Sequence, residues 1–509
     1  MPVRIGEPLT FEDVVNVAAG GEKVELSDPA RARIIRARAV VEDSVASGST
    51  VYGVTTGFGG LADVRIDPGE AARLQQDIVR SHATAVGPTL STEMVRAMLL
   101  LKARTFGFGI SGIRAEVLET ILAFLNLGIH PVVPSQGSLG ASGDLAQLAH
   151  LALPLLGEGK VEHQGRIVDA GQALQSAGIK PLELSYKEGL ALVNGTEGML
   201  AIGILTLTGA EVLARTADIT GAMTLEACLG TDRAFDERLI ELRQHQGSRI
   251  VASNLRLLLS GSEIVQSHRE SGHLVQDAYS LRCIPQVHGA YRDGIAYVRS
   301  ILQAEIESAV DNPVVLVETA ELRSAGNFHG ESLAIGLDHL ALCLAGYGTI
   351  AERRVARLVD PNLNNGLPAF LTEDAGRRSG FMLAHYTAAS LVAENRSLMF
   401  PVSSDSITTS AGQEDHVSMG FTAARKAATV LVNAQHVIAI EALGGAQGLD
   451  LRGPLKPAAA TGAALDVVRG LSPFLDADRP LSDDIGAVAQ SIAAGDFAAA
   501  VENVAGPLT

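Results

Sequence analysis

Gly137-Ser138-Leu139-Gly140-Ala141-Ser142-Gly143-Asp144 contains a tripeptide that can build an electrophile from the chain itself. In Ala141-Ser142-Gly143 the backbone nitrogen of Gly143 can attack the carbonyl carbon of Ala141. Loss of two waters, one of them involving the Ser142 hydroxyl, leaves a five-membered ring with an exocyclic methylene. The attack needs an unhindered amide, a small preceding residue and a permissive backbone, and Gly143, Ala141 and the surrounding glycines supply them. Ala-Ser-Gly alone reads as an ordinary loop. Its flanks decide otherwise, with Gly-Ser-Leu-Gly before it and Asp144-Leu145-Ala146-Gln147-Leu148-Ala149-His150 after it.

The rest of the chain narrows the setting. A length of 509 residues allows two or three domains and a large core. Apolar residues make up 47% but aromatics only 4%, with no Trp, so the core must be aliphatic and alanine-rich, which suits close helix packing. A net charge of −17 argues against a general nucleic-acid or anionic-membrane binder. Cys228, Cys283 and Cys343 give neither a disulfide framework nor a zinc spacing, so a reducing compartment is expected. Met1 to Pro8 has no apolar stretch behind a basic start, and no run of 18 apolar residues occurs. The expectation is a soluble cytoplasmic protein with no membrane span and no nucleic-acid partner.

Proline placement is the architectural clue. None lies between Pro181 and Pro285, Pro313 and Pro361, or Pro401 and Pro454. A proline inside a helix costs about 3 kcal/mol, so such gaps fit long helices. Ile295, Val298, Leu302, Ile306 and Ala309 form one helical stripe, and Asp311-Asn312-Pro313 reads as its stop. The first part is more broken. Tyr52 to Gly60 is a glycine-rich loop, Ser91 an N-cap for a helix closed by Gly107, and Lys160 to Val168 a hairpin turning at Gln164-Gly165. Gly107 to Gly112 matches G-x-G-x-x-G but follows a helix pattern, so it reads as a helix-joining loop and no nucleotide is expected. No histidine is paired at a recognisable metal-ligand spacing, so no metal is expected either. The fold class is mainly α. The expected organisation is an irregular N-terminal domain over 1–200 carrying the Ala-Ser-Gly loop, a central long-helix bundle over 201–450, and a C-terminal helical region over 451–509.

Five segments then match one family in order: YGVTTGFG at 52–59, GSLGASGDLAQLAH at 137–150, EGLALVNGT at 188–196, QDAYSLRCIPQVHG at 276–289 and QEDHVSMG at 413–420. Together they resemble the aromatic amino acid ammonia-lyases and aminomutases, which use 4-methylidene-imidazole-5-one (MIO), and most closely the bacterial histidine ammonia-lyases. The resemblance implies a fumarase/aspartase-like helical superfold and a homotetramer whose active sites are completed by three chains. It assigns the electrophile to Ala141, Ser142 and Gly143, attaching the substrate amine or, in another proposal, the aromatic ring. Asp144 follows the cyclising unit and is a candidate for helping to form it. The resemblance makes Tyr52 the base. A phenol titrates near ~10 in water, so Tyr52 is expected to be depressed by nearby positive potential. Arg282 matches the carboxylate clamp, a role suited to a guanidinium fork. Asn194, Gln276 and Tyr279 match positions lining the site, and Phe328 a wall of the same cavity.

Two places address the substrate. Ser81-His82 looks like the histidine enzymes, although some tyrosine aminomutases share it. Gln413-Glu414-Asp415-His416 is the histidine-type string where phenylalanine and tyrosine enzymes usually show Asn-Gln-Asp. A carboxylate at Glu414 can accept an imidazole N–H, whereas a benzene ring would leave it unpaired. Met382 agrees with the histidine pattern. Gln147, Gly412 and His385-Tyr386 depart from it, the first expected to affect only the loop behind the ring, the others to bear on the pocket. The expected activity is elimination of ammonia from L-histidine to give trans-urocanate. The alternatives are a tyrosine or phenylalanine ammonia-lyase or a 2,3-aminomutase of the same family. The Gly-Ser-Ser-x-Met-Pro-type loop of the fumarase and argininosuccinate-lyase enzymes is absent from the sequence.

Overall fold

The computed structural model describes residues 2–67, 69–140, 143–270 and 275–509, and the protein is mainly helical. Its long helices, Glu197–Ala227, Ile284–Glu307, Glu331–Val359 and Gly420–Asp450, occupy the stretches that lack interior prolines. Pro285 falls in the first turn of its helix, where its missing N–H would have had no partner. The chain folds into two compact units. One comprises Met1–Leu205, Ser300–Asp338 and Pro401–Arg425, the other Thr206–Arg299, His339–Phe400 and Lys426–Thr509.

In the first unit, the Thr92–Gly107 helix starts where the Ser91 hydroxyl accepts the Met94 N–H at 3.3 Å. Every residue from Val95 to Gly107 is buried. Gly107 ends it against Ile5, whose Cγ2 would lie 2.6 Å from any added Cβ. The run to Gly112 then joins it to the Ala115–Leu127 helix, as a connector. Strands Lys160–His163 and Arg166–Asp169 pair antiparallel about Gln164 and Gly165, at φ 52° and 73°. Two successive left-handed residues match the twist of the flanking strands. A second antiparallel pair, Val86–Thr89 with Pro134–Gln136, leads directly into the loop at Gly137. The Leu145–Ala152 helix leaves that loop on its far side.

The second unit packs alanine against glycine. Gly448 sits where an added Cβ would come 2.8 Å from the Ala227 Cβ, so two helices approach more closely than larger side chains permit. The unit also buries charge, and two groups of these charges are paired. Arg354 grips Glu441 bidentately, and the Thr220 and Thr224 hydroxyls donate to the same carboxylate at 2.9 and 3.0 Å. Asp218 accepts from His288 Nδ1 and Arg292 Nη2, both at 2.8 Å. Breaking one partner of such a group strands the other charge in a low dielectric, so these pairs fix geometry more than they add stability.

The absence of an unbroken apolar run did not exclude helices of membrane-spanning length. Glu197–Ala227, Glu331–Val359 and Gly420–Asp450 are long and apolar enough by composition, with mean hydropathy 1.4, 1.4 and 1.3. Their most apolar windows are 72, 72 and 78% buried inside the protein itself, which accounts for the hydropathy as core packing.

Candidate active site

The loop that follows the Pro134–Gln136 strand is held at both ends. Ser138 Oγ donates to Gln147 Oε1 at 2.5 Å and accepts the Ala146 N–H at 3.2 Å, while Gln147 Nε2 donates to the Pro134 carbonyl at 3.2 Å. Gln147 is fully buried. Its amide therefore ties the loop entrance to the following helix, a larger role than its sequence position suggests. Ala141 and Ser142, two of the three residues expected to cyclise, lie outside the described residues. The third, Gly143, is at φ 83°, and a Cβ there would fall 1.7 Å from the Gly195 carbonyl oxygen. No side chain fits, so glycine is required at the position that must present an unhindered amide.

Asp144 is fully buried. Its Oδ2 accepts the Met199 N–H at 2.8 Å, and its own N–H donates to Gly195 O at 2.8 Å. Burial pushes its carboxyl up to about 8, with Glu197 adding in the same direction against the Met199 and Gly198 N–H groups and Lys102. The segment from Asn194 to Thr196 therefore runs against the loop. Asn194 Nδ2 donates to Asp311 Oδ1 at 3.1 Å and to the Asn312 carbonyl at 3.2 Å, and its buried Oδ1 has no partner among the described residues. Asp311 is itself paired with buried Lys187 at 2.8 Å.

A cavity of about 430 Å³ lies in the same unit, lined by Tyr52, Gly59, Asn312, Phe328, Glu414 and His416 among others. The Gly59 N–H donates to Tyr52 Oη at 2.9 Å. Gln75, fully buried, donates to Gly53 O at 3.0 Å and accepts the Leu190 N–H at 3.1 Å, anchoring the Tyr52 loop to the Glu188–Val193 helix. Glu414 is half-buried and accepts from Thr409 Oγ1 at 3.2 Å. His82 Nδ1 lies 2.9 Å from the Ile78 carbonyl, which assigns the proton to Nδ1 and leaves Nε2 as an acceptor. Its ring is tilted against Phe58, 5.3 Å between centroids, and burial lowers its basicity against the pull of Glu414.

Tyr52 corrects an expectation. Its phenol is raised, not depressed: burial is the main cause, and the Glu414 charge adds to it, outweighing the hydrogen bond from Gly59. The loop surrounds the phenol with little water and a nearby anion, where the sequence reading assumed a cation or helix terminus.

Two of the remaining predicted residues line a different cavity. Gln276 and Arg282, in the second unit, border a space of about 510 Å³ together with Thr231, Arg233, His268 and Asp277. The Arg282 guanidinium lies over the Tyr279 ring at 4.7 Å, its Nε makes no hydrogen bond among the described residues, and Tyr279 is 72% exposed. Met382 opens the Met382–Leu398 helix, also in the second unit. None of Gln276, Tyr279, Arg282 or Met382 lines the Tyr52 cavity. Three side chains, His329, Glu331 and His416, come together from separate stretches of sequence, a proximity that ligand spacing does not reveal. His329 and His416 stack with 6° between their rings, and Glu331 lies 4.0 and 3.7 Å from their nitrogens. His416 is largely exposed, and the trio forms an ion-pair cluster whenever an imidazole is protonated.

Sequence reasoning missed Lys102, Gln75, Lys187 and Glu197. A signal existed for the first: a lysine directly after the apolar run Ala97-Met98-Leu99-Leu100-Leu101 is conspicuous.

The chain matches the aromatic amino acid lyase family over residues 9–470. It is 50% identical over 510 residues to a histidine ammonia-lyase of Koribacter versatilis, covering 98% of this chain and 99% of the relative. Among solved structures, a histidine ammonia-lyase from Trypanosoma cruzi superposes with a TM-score of 0.91 at 41% identity, covering 99% and 96% of the two chains. A tyrosine aminomutase from Streptomyces globisporus gives 0.92 at 38%, covering 99% of each. With likeness of this order along its whole length, in sequence as in fold, the chain belongs to the aromatic amino acid lyase family.

Proposed function

We propose that the protein is a carbon–nitrogen lyase that eliminates ammonia from L-histidine to give trans-urocanate. The observation that carries this reading is Glu414. Its carboxylate lines the same cavity as Tyr52, and the only side-chain hydrogen bond it accepts among the described residues comes from a threonine hydroxyl. An imidazole N–H satisfies such a carboxylate, whereas a benzene ring desolvates it without return. The full-length likeness to histidine ammonia-lyases supports the same substrate. A tyrosine or phenylalanine lyase or an aminomutase remains the second reading, supported by the aminomutase likeness in fold.

The residues present fit an MIO group. Gly143 occupies a cradle that a Cβ would fill, and its neighbour Gly140, at φ 91°, would clash with Ser418 Oγ at 2.1 Å if it carried one. The ring formed from Ala141, Ser142 and Gly143 would supply the electrophile that lets the amino nitrogen depart. Asn194, with a buried Oδ1 unpartnered among the described residues, is suited to accept a hydrogen bond from that nitrogen. Tyr52 removes the β-proton through Oη. Its own surroundings raise its pKa, so a cation such as the substrate ammonium would favour the phenolate. Arg282 holds the substrate carboxylate as a fork, and Gln276 and Tyr279 flank it. Phe328 and Met382 wall the pocket and His82 Nε2 faces the imidazole.

The separation of Tyr52, Phe328 and Glu414 in one cavity from Gln276 and Arg282 in another supports a homotetramer in which separate copies complete each site. A fully active monomer would contradict that. Free cysteines and the burial of the apolar helices support a cytoplasmic setting. Glu414→Gln tests the central assignment. It should lower kcat/KM for histidine by about 100-fold while leaving any activity on phenylalanine unreduced. Equal losses on both substrates would remove Glu414 from recognition.

A further inference from the structure

We propose that the buried Lys102–Glu197 pair is a positioning device that seats the Asn194–Thr196 segment against Gly143 and thereby sets how fast the Ala141-Ser142-Gly143 ring closes. This rests on the ring-based reading above.

Lys102 is 1% exposed. Its Nζ donates to the Ala191 carbonyl at 3.1 Å and the Asn194 carbonyl at 2.6 Å, and lies 3.1 Å from Glu197 Oε1. An ammonium has three donors. Two are spent on carbonyls of the turn between the Glu188–Val193 helix and the Glu197–Ala227 helix, while Glu197 faces it as an ion pair whose oxygens accept no hydrogen bond among the described residues. Glu197 is equally buried, and its carboxylate makes no other ion pair among the described residues. A buried pair of this kind contributes little net stability compared with well-packed apolar residues, but it defines geometry tightly.

What the geometry serves is read from the contacts beyond it. The Glu197 carboxylate takes up the space beside Gly195 that a side chain would need, where an added Cβ would lie 2.2 Å from Oε2. The Gly195 carbonyl in turn accepts the Asp144 N–H and occupies the space beside the Gly143 α-carbon. Lys102, Glu197, Gly195 and Gly143 are thus successive neighbours. The last of them is the nucleophile of ring closure. As the Gly143 nitrogen bonds to the Ala141 carbonyl carbon, its hydrogen passes to the carbonyl oxygen. That hydroxyl leaves as water with the Ser142 N–H hydrogen. A second water takes the Ser142 hydroxyl and its α-hydrogen. No oxidant or outside reactant is needed, so the rate depends on how well Gly143 is aimed.

The test uses the full chain and follows closure itself. Wild type and Lys102→Met are purified soon after expression and incubated. Intact mass reports the loss of two waters, near-UV absorbance the conjugated ring, and circular dichroism the fold. Wild type should become lighter by two waters. Folded Lys102→Met should close more slowly by on the order of 100-fold, the cost of misplacing a reacting group by about 1 Å. Closure of folded Lys102→Met at the wild-type rate overturns the inference. If Lys102→Met does not fold, Glu197→Asp decides: it keeps the charge and shortens the reach, so slowed closure is expected and a wild-type rate overturns the proposal. Wild type that never loses two waters instead overturns the ring reading on which the proposal depends.

Discussion

Asp144 shows how one buried carboxyl shapes stability. Its pKa near about 8 in the folded protein compares with roughly 3.9 in an unfolded chain. Between these values the native state keeps a proton that the unfolded state has lost. Stability from this group is therefore complete below about pH 4 and declines until about pH 8, by about tenfold in the folding equilibrium per pH unit. Asp144→Asn should remove that component. Denaturant unfolding of both proteins at pH 5 and pH 8 checks it: wild type should lose more stability over the interval than the variant, and parallel losses would contradict the assignment. Nothing in the sequence announced this. Asp144 was legible as a neighbour of the cyclising tripeptide, but its titration depends on Glu197 and on the Met199 and Gly198 amides, which only folding brings to it. Tyr52 makes the same point more sharply. Its place on a glycine-rich loop was readable, whereas the sign of its pKa shift was set by burial and by Glu414, a residue from a distant segment.

Single elements were read more easily because their signals are local. The Ser91 cap, the Gly107 end and the Gln164-Gly165 turn each depend on residues within a few positions. Helix-to-helix spacing is different, since the same residue type plays opposite parts in two helices. Gly486, inside Ser482–Ala494, has nothing within 4 Å of an added Cβ, whereas Gly448 would bring a Cβ to 2.8 Å from Ala227. Gly486→Ala should stabilise by about 0.5–1 kcal/mol through helix propensity. At Gly448 the same gain is opposed by overpacking worth about 1–3 kcal/mol. Thermal unfolding of the two variants should therefore differ by at least about 1 kcal/mol in favour of Gly486→Ala. Equal stabilisation at both positions would mean that the Ala227 contact is looser than described. Gln147 belongs at this scale too. As a departure from the family pattern it appeared to concern only the loop behind the ring, and it turns out to be the amide that fastens the loop entrance.

For the whole molecule, the mainly helical fold followed from the proline gaps and the aliphatic composition, both properties of the entire chain. The division of site residues between two units did not, because sequence order says nothing about which surfaces come together. Tyr52, His82, Asn194, Phe328 and Glu414 fall in one unit, while Gln276, Tyr279, Arg282 and Met382 fall in the other. The account holds that copies of the chain assemble these halves around an imidazole-bearing substrate. The most direct test is turnover of L-histidine, L-tyrosine and L-phenylalanine side by side with the intact protein, following ammonia, the conjugated acid and any β-amino acid. Urocanate and ammonia formed from histidine, with little turnover of the other two, is the predicted result. Preferred turnover of tyrosine or phenylalanine, or a β-amino acid product, would contradict the assignment of Glu414 and His82 to imidazole recognition.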